Sequence, residues 1–272
     1  MYVLDLGRMK MDKNLMINHS VLASSKEPNK PSEYIEFPVQ GFLFEGEDGY
    51  VLYDTGCHPQ SMGPGGRWPM EFQIRSPYIG NDECSVISRL KQLGLKPDDI
   101  KWVVLSHMHN DHAGCVEYFE KSAFLVHENE FNACLQRYAT HDYMCSYIWD
   151  DTNIWTKKKL NWNFLNDKDG DFTIMPGLKV LNLGSGHARG MLGLLVQLEN
   201  MGNIIITSDA IYCRDNFAGA FSEPGVVYDT IGWRNTAKRI KLLSWQANAD
   251  VWFGHDIEQF NSLKKSTEGY YD

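Results

Sequence analysis

The sequence lacks the features that mark several classes of protein. Lysine and arginine total 26 against 35 aspartates and glutamates, a formal net charge of −9 that argues against a nucleic-acid partner. No run of about 18 apolar residues is present, so the sequence predicts no membrane-spanning helix. None of the six cysteines forms a Cys-x-x-Cys pair, which argues against a structural zinc module and against a disulfide framework.

A secretory leader is not predicted either. Residues 1–8 include acidic and basic side chains at positions where such a leader would be apolar. We therefore expect a cytoplasmic protein with reduced thiols. With 272 residues and 43% hydrophobic content, the chain can bury a sizeable core, as one large or two small domains.

What the sequence does contain is a dense group of side chains that can bind metals. Residues 102–105 form a short apolar run that predicts a buried strand, and His107, His109, Asp111 and His112 follow it. Side chains alternate along an extended chain, so the first two imidazoles point to one side, and the carboxylate–imidazole pair follows where the backbone turns. Packing gives no reason to collect these groups at a strand end. The sequence therefore predicts a metal site, with ligands for two adjacent ions.

Three further ligand candidates lie at turns or strand ends. His187 lies in a glycine-rich turn, and Asp209 and His255 each follow an apolar strand. Each is weak evidence alone, but two metal ions need more ligands than the first group supplies. Asp209 is suited to bridge two ions, because each carboxylate oxygen can bind one of them. Asp54, at the end of another strand, is either an Asx-turn residue or a carboxylate that orients a ligand imidazole.

The rest of the chain alternates predicted strands and helices. Helices are predicted over 84–93, 128–136 and 230–245, and strands over 34–44, 50–53, 102–105, 123–126, 171–175, 178–182, 190–198, 203–208 and 249–253. Five or six strands on each side predict an α/β sandwich of two sheets, covered by helices on both outer faces. The stretches 57–80 and 138–162 are long and rich in aromatic residues. The first is interpreted as a wall over the site or an oligomer contact, and the second as core filling or a substrate surface.

These ligand candidates, in their order along the chain, resemble those of the metallo-β-lactamase superfamily. The resemblance depends on His-Met-His-Asn-Asp-His at 107–112, on Asp54-Thr-Gly, and on His187, Asp209 and His255. Within that superfamily the chain is similar to the N-acyl-homoserine lactonases, on the basis of Ser-Asp-Ala-Ile-Tyr at 208–212, Asn-Phe at 216–217 and Phe-Gly-His-Asp-Ile-Glu-Gln at 253–259. The resemblance implies one domain over 1–272, an αββα sandwich of two mixed sheets, with loop insertions at about 57–80 and 138–162.

The resemblance also implies the metal site and its reaction. Its ligands are histidines and aspartates: His107, His109 and His187 for one ion, Asp111, His112 and His255 for the other, and Asp209 as a bridge. Zinc is expected, with iron, manganese and cobalt as alternatives. A hydroxide that bridges the two metals would open the lactone ring of an N-acyl-L-homoserine lactone.

Other residues are expected to act on the substrate. Tyr212 would donate a hydrogen bond to the developing oxyanion, and Asp111 would deliver a proton to the leaving alkoxide. Trp68 and Phe72 are expected to contact the acyl chain. Asn110 is a third candidate contact, at a position where some lactonases carry an aromatic residue. The expected partner is a small lactone, bound by a monomer or a homodimer.

Several other proteins of this superfamily are alternatives. A 4-pyridoxolactonase-like enzyme shares most motifs and is the main alternative, followed by a thioesterase, which would need a longer segment after His255. A β-lactamase would usually lack the bridging Asp209, and a nuclease would need a basic surface. A di-iron redox protein would carry a glutamate where this chain has Met108 and Asn110.

Overall fold

The described residues, 1–219 and 221–272, form two β-sheets in a computed structural model of the protein. The first sheet contains seven strands, which are β1 (Tyr2–Asp12), β2 (Tyr34–Gly46), β3 (Gly49–Tyr53), β4 (Tyr78–Ile79), β5 (Ile100–Val104), β6 (Ala123–His127) and β7 (Asn161–Leu165). They lie in the order β4-β1-β2-β3-β5-β6-β7. Pairing is antiparallel from β4 to β3 and parallel from β3 to β7, so the sheet is mixed.

The second sheet contains five strands, which are β8 (Phe172–Met175), β9 (Leu178–Gly184), β10 (Met191–Leu198), β11 (Gly202–Ile206) and β12 (Ala249–Trp252). They lie in the order β12-β11-β10-β9-β8. Only the β11–β12 pair is parallel, and the other pairs described are antiparallel. The expectation of five or six strands on each side is thus corrected to seven and five.

Helices pack outside both sheets. The described helices are α1 (Lys13–Met16), α2 (Met70–Arg75), α3 (Val86–Gln92), α4 (Glu128–Ala139), α5 (Trp149–Trp155), α6 (Arg214–Phe217), α7 (Thr230–Ala247) and α8 (Ile257–Ser262). The longest, α7, begins where the Asp229 side chain accepts a hydrogen bond from the Gly232 amide, and it ends before Asn248, which has a left-handed backbone. Of the helices described, none combines the length and the apolar character needed to cross a bilayer.

Three apolar clusters correspond to the layers of the fold. Between the sheets, side chains such as Phe42 from the first sheet pack with Leu194 and Ile206 from the second. Outside the second sheet, α7 contributes Trp233 and Ile240 to a separate cluster. A third cluster joins the other face of the first sheet to α3, α4 and α5. This layering confirms the predicted αββα sandwich, whereas a single domain over residues 1–272 stays a prediction.

Two strands depart from the pattern by which strands are recognised in sequence. β1 contains a register shift between Asp5 and Arg8, where Gly7 has a φ of 99°. Such a bulge interrupts the alternation of apolar and polar positions. β7 lies at the edge of its sheet, is only partly buried and includes two asparagines. The irregular stretches 57–80 and 138–162 contain the short helices α2 and α5.

Candidate metal centre

Strand ends from both sheets bring the ligand candidates together. β5 ends one residue before the segment 106–112, while β11 and β12 end shortly before Asp209 and His255. β5 runs parallel to β3 and β6, and β11 runs parallel to β12, so the carboxyl ends of these strands share one edge in each sheet. His187 lies in the turn between β9 and β10. The site is thus built from irregular backbone that follows regular strands.

All seven predicted ligands meet in two adjacent groups. The ligand atoms of each group lie within 4.8 Å of one another, in the sets His107, His109, His187 and Asp209, and Asp111, His112 and His255. Asp209 faces both groups, because its Oδ1 lies 2.9 Å from His255 Nε2 and its Oδ2 lies 3.3 Å from His187 Nε2. A carboxylate that presents one oxygen to each group is what a bridge between two ions requires.

The unpaired atoms of the site fit metal ions. His107 Nε2 and His112 Nε2 are buried and have no hydrogen-bond partner in the described part of the chain. Burying a polar atom without a partner is costly, so such atoms are rare in folded proteins. Imidazole nitrogen and carboxylate oxygen are the ligands that zinc and similar divalent ions accept. The two groups therefore fit a dinuclear site for divalent metal ions.

The outer nitrogens of three imidazoles are held by groups behind them. His112 Nδ1 lies 2.8 Å from the Asp54 carboxylate, His255 Nδ1 lies 2.9 Å from the Pro38 carbonyl, and His187 Nδ1 lies 3.0 Å from the Val226 carbonyl. An acceptor at Nδ1 fixes the proton there and leaves Nε2 free to bind a metal. Each ring is therefore oriented before any ion arrives.

Asp54, which contacts the ligand candidate His112, has a strained backbone conformation. Its φ is 61°, in the left-handed region that residues other than glycine seldom adopt. Its side chain accepts hydrogen bonds from the Ser106 amide at 2.7 Å and the Ser106 hydroxyl at 2.8 Å, besides its contact with His112. Of the two roles left open for Asp54, the structure shows the contact with a ligand imidazole.

Burial and neighbouring charges set the protonation of the ligands. Burial raises the pKa of Asp209, but the surrounding imidazoles, led by His255, outweigh it and hold that pKa well below its usual range. Burial and neighbouring imidazoles keep the pKa of His107 well below its ordinary value, and burial lowers the pKa of His109 to about 3. At neutral pH Asp209 is therefore an ionised carboxylate, and His107 and His109 are neutral imidazoles, the forms that bind metals. At His112 and His255, burial is outweighed by the charges of Asp209 and Asp111, which raise the pKa of both imidazoles.

A cavity of about 380 Å³ opens above the two groups. Its floor includes Asp111, Asp209 and Tyr212, and its lining also includes Phe72 and Asn110, two of the predicted substrate contacts. Other lining side chains are apolar and come from the first two strands and α1, namely Met9, Met11, Leu15 and Phe37. The sequence analysis does not predict Met9 and Met11 as lining residues, because the bulged β1 is hard to recognise as a strand. The Met-x-Met alternation at 9–11 is the signal that could have identified them.

Trp68 does not line this cavity. Its side chain is 1% exposed and packs edge-on against Phe72, with 5.3 Å between the ring centroids. The prediction that Trp68 touches the substrate is therefore corrected, because Trp68 is buried and its neighbour Phe72, not Trp68, lines the cavity. Trp68 instead supports Phe72 from behind.

Tyr212 lies directly beside the ligands. Its ring centroid is 5.1 Å from those of His187 and His255, one from each ligand group. Burial, together with the charges of Asp209 and Asp111, raises the pKa of the Tyr212 hydroxyl well above its ordinary value. The hydroxyl therefore keeps its proton at neutral pH and can act as a hydrogen-bond donor toward the cavity.

Comparisons with known proteins agree with this geometry. Residues 34–129 match the sequence model of the metallo-beta-lactamase superfamily. The chain is 45% identical to the N-acyl homoserine lactonase AiiB of Agrobacterium fabrum over 272 residues, which is 100% of this chain and 99% of that protein. It is 30% identical over 252 residues to the N-acyl homoserine lactonase AiiA of Bacillus thuringiensis subsp. kurstaki, covering 92% of each.

Solved structures give the same assignment. A crystal structure of a B. thuringiensis AiiA variant with N-decanoyl-L-homoserine at the active site superposes with a TM-score of 0.81 at 27% identity, covering 100% of this chain and 98% of that one. An N-acyl homoserine lactone hydrolase with N-hexanoyl-L-homoserine at its catalytic metal center gives the same score, identity and coverage. By its sequence along the whole length and by its fold, the chain belongs to the N-acyl homoserine lactonases of the metallo-beta-lactamase superfamily.

Proposed function

We propose that this protein hydrolyses the lactone ring of N-acyl-L-homoserine lactones. The observation that carries the proposal is the pair of ligand groups joined by Asp209 at the floor of a cavity with an apolar wall. Relatives that match the full chain carry the name of this activity, and two related structures hold an acyl-homoserine, the ring-opened product. The chemistry of the site and the activity of the relatives therefore support the same reaction.

The metal ligands are assigned as predicted. One divalent ion would be held by His107, His109 and His187 and the other by Asp111, His112 and His255, with Asp209 within reach of both. Zinc suits this donor set best, and iron, manganese or cobalt can replace it. When bound, two such ions lower the pKa of a water molecule to near neutral and polarise the lactone carbonyl.

Tyr212 and Asp111 manage charge and protons in this reaction. As the water oxygen bonds to the carbonyl carbon, negative charge grows on the carbonyl oxygen, and the Tyr212 hydroxyl donates a hydrogen bond to it. Neighbouring imidazoles, led by His112, outweigh burial and lower the pKa of Asp111, so its carboxylate is ionised and can take the proton that water loses. When the ring carbon–oxygen bond breaks, Asp111 returns that proton to the alkoxide, which leaves an N-acyl-homoserine.

In this proposal the acyl chain of the substrate lies along the apolar wall of the cavity. Met9, Met11, Leu15 and Phe72 form this wall beside the ligand groups. Each buried methylene is worth about 0.8 kcal/mol while wall remains to be covered. Affinity should therefore rise with chain length, and the free homoserine lactone should be a poor substrate.

Ring opening across a panel of lactones, followed by pH-stat, tests the proposal. The panel contains acyl-homoserine lactones of several chain lengths, free homoserine lactone, a bicyclic aromatic lactone and a thioester. We expect the acyl-homoserine lactones to have the highest kcat/KM. Faster opening of the bicyclic aromatic lactone would replace the proposal with the pyridoxolactonase alternative. The cytoplasmic location and the monomer or homodimer stay predictions that this panel does not address.

A further inference from the structure

Behind the first ligand group lies a buried carboxylate that the proposed reaction does not use. Glu130, the third residue of α4, has no exposed surface. Its Oε1 accepts a hydrogen bond from the Met108 amide at 3.0 Å. Its Oε2 accepts one from the Arg189 amide at 3.0 Å and one from the Tyr147 hydroxyl at 3.1 Å. Burying a carboxylate is costly, so this position needs the donors that surround it.

Two of the three donors to Glu130 belong to segments that carry metal ligands. Met108 lies between His107 and His109, and Arg189 lies two residues after His187. Neither Met108 nor Arg189 is part of a strand, so these amides do not gain partners from a sheet. One side chain thus joins two loops that are distant in the sequence.

Two further contacts hold the same region together. The Tyr147 ring, whose hydroxyl binds Glu130, packs edge-on against His109 with 5.0 Å between the centroids. Gly190 lies so close to His127, just before α4, that an added Cβ would come within 2.2 Å of the ring. The loop that carries His187 therefore packs closely against the start of α4, and Glu130 accepts a hydrogen bond from this loop.

The second ligand group is held by different partners. His112 contacts Asp54, and His255 contacts the Pro38 carbonyl. Two of the hydrogen bonds described for Glu130 come from Met108 and Arg189, next to ligands of the first group, and the third comes from Tyr147, which packs against His109. Glu130 is thus a partner of the first group alone, although Asp209 is common to both groups and the Ser106 hydroxyl, which donates to Asp54, also lies 3.0 Å from His107 Nδ1.

We infer that Glu130 is a positioning residue for one of the two metal ions, the one held by His107, His109 and His187. It fixes the two loops relative to each other, so that three imidazoles meet at one point in the absence of the ion. This inference rests on the proposed function, because it presumes that both groups bind metal. Partners behind metal ligands typically change metal affinity about 10- to 100-fold when they are removed.

The first experiment is a zinc titration of metal-free protein against a chromophoric chelator, with Glu130→Gln and wild type side by side. Glutamine keeps the size of the side chain but turns an amide NH₂ toward N–H donors. We expect one of two zinc ions to bind about 10- to 100-fold more weakly and the other to bind as in wild type. Asp151→Asn is the control, since Asp151 is buried on α5 and its carboxylate pairs with Arg67. This control should bind both ions as wild type does.

Variants that break one group identify the weakened ion. In a His187→Ala background the first group is already lost, so Glu130→Gln should cause no further loss of zinc affinity. In a His255→Ala background the full loss should appear. Unchanged affinities in Glu130→Gln, or equal weakening of both ions, would overturn the inference. Fewer than two zinc ions in wild type would instead contradict the proposed function.

Amide hydrogen exchange gives a readout without metal. In metal-free protein, the Met108 and Arg189 amides should exchange at least about tenfold faster in Glu130→Gln than in wild type. Equal exchange at both amides would contradict the positioning role. Should Glu130→Gln fail to fold, Tyr147→Phe removes one donor without adding a new polar group. That variant should weaken the same zinc ion by a smaller factor, and an unaltered titration would count against the inference.

Discussion

Two buried clusters of charged side chains, the metal centre and a cluster around Arg67, are balanced in different ways. In the Arg67 cluster, which consists of Arg67, Glu117 and Asp151, the guanidinium binds both oxygens of Glu117 at 2.7 and 3.0 Å. The same guanidinium lies 2.9 Å from Asp151 Oδ1. Here the chain supplies its own cation for two buried acids.

The metal centre gathers buried acids around imidazoles, and no arginine or lysine of the described residues pairs with them. Imidazoles surround Asp209, and two of their nitrogens, on His107 and His112, have no hydrogen-bond partner among the described residues. Buried acids alone therefore do not distinguish a functional site from a structural ion pair. The difference lies in the grouping of such atoms: among the described residues the Arg67 cluster leaves one oxygen, Asp151 Oδ2, without a hydrogen-bond partner, whereas the metal centre leaves three ligand atoms on His107, His112 and Asp209.

Removal of the shared carboxylate should have the largest effect. Asp209→Asn replaces an oxygen that faces one ligand group with an amide NH₂, so both ions should be lost and ring opening should fall more than about a thousandfold. Elemental analysis and rate measurement on the same sample check this. Asp151→Asn, which alters an acid of the Arg67 cluster, should keep two ions per chain. Full metal content in Asp209→Asn would show that Asp209 is no more necessary for metal binding than Asp151.

Removal of the internal cation should cost stability and leave the metals in place. Arg67→Met leaves Glu117 and Asp151 buried without a counter-charge, which should lower the free energy of unfolding by about 3–5 kcal/mol. Urea unfolding measures the loss, and elemental analysis of the folded protein should still give two ions. Neutralising both acids in the same chain, with Glu117→Gln and Asp151→Asn, should restore much of the stability. A loss of metal ions in Arg67→Met would mean that the clusters are not independent.

A third substitution separates the metal ligands from the group that acts on the substrate. Tyr212→Phe removes the hydroxyl beside both ligand groups and should lower kcat about 10- to 1000-fold, or about 1.4–4 kcal/mol. Metal content should stay at two ions, unlike in Asp209→Asn. Steady-state rates on the best lactone test this, and an unaltered rate would show that Tyr212 only packs.

The smallest effects are expected in the segment that runs from the Arg67 cluster to the cavity wall. Phe72→Ala removes apolar wall and should weaken binding of long-chain lactones more than short ones, at about 0.8 kcal/mol per methylene that loses contact. Trp68→Ala acts from behind Phe72 and should reduce stability more than chain-length preference. KM values for a chain-length series decide between the two. If Phe72→Ala changed KM equally for all chain lengths, the acyl chain would not contact this apolar wall.

The sequence predicted the layers of the fold and the ligand segments because both depend on local patterns. Strand and helix periodicity is visible in short windows, and His107 to His112 lie next to one another. The supports of the site depend on long-range contacts. Arg67 meets Glu117 and Asp151 across 50 and 84 residues, and Glu130 meets Arg189 across 59. No spacing rule identifies such partners, since the packing of whole elements brings them together.

Each ligand group draws side chains from both sheets. The ligands from 107 to 112 follow a strand of the first sheet, and those at 187, 209 and 255 follow strands of the second. On the proposed function, each bound ion is therefore a cross-link between the two halves of the sandwich. The described cysteines form no disulfide that could do this. A chelator would then weaken the attachment of the two sheets as well as stop the reaction. The free energy of unfolding should therefore increase with the concentration of free metal.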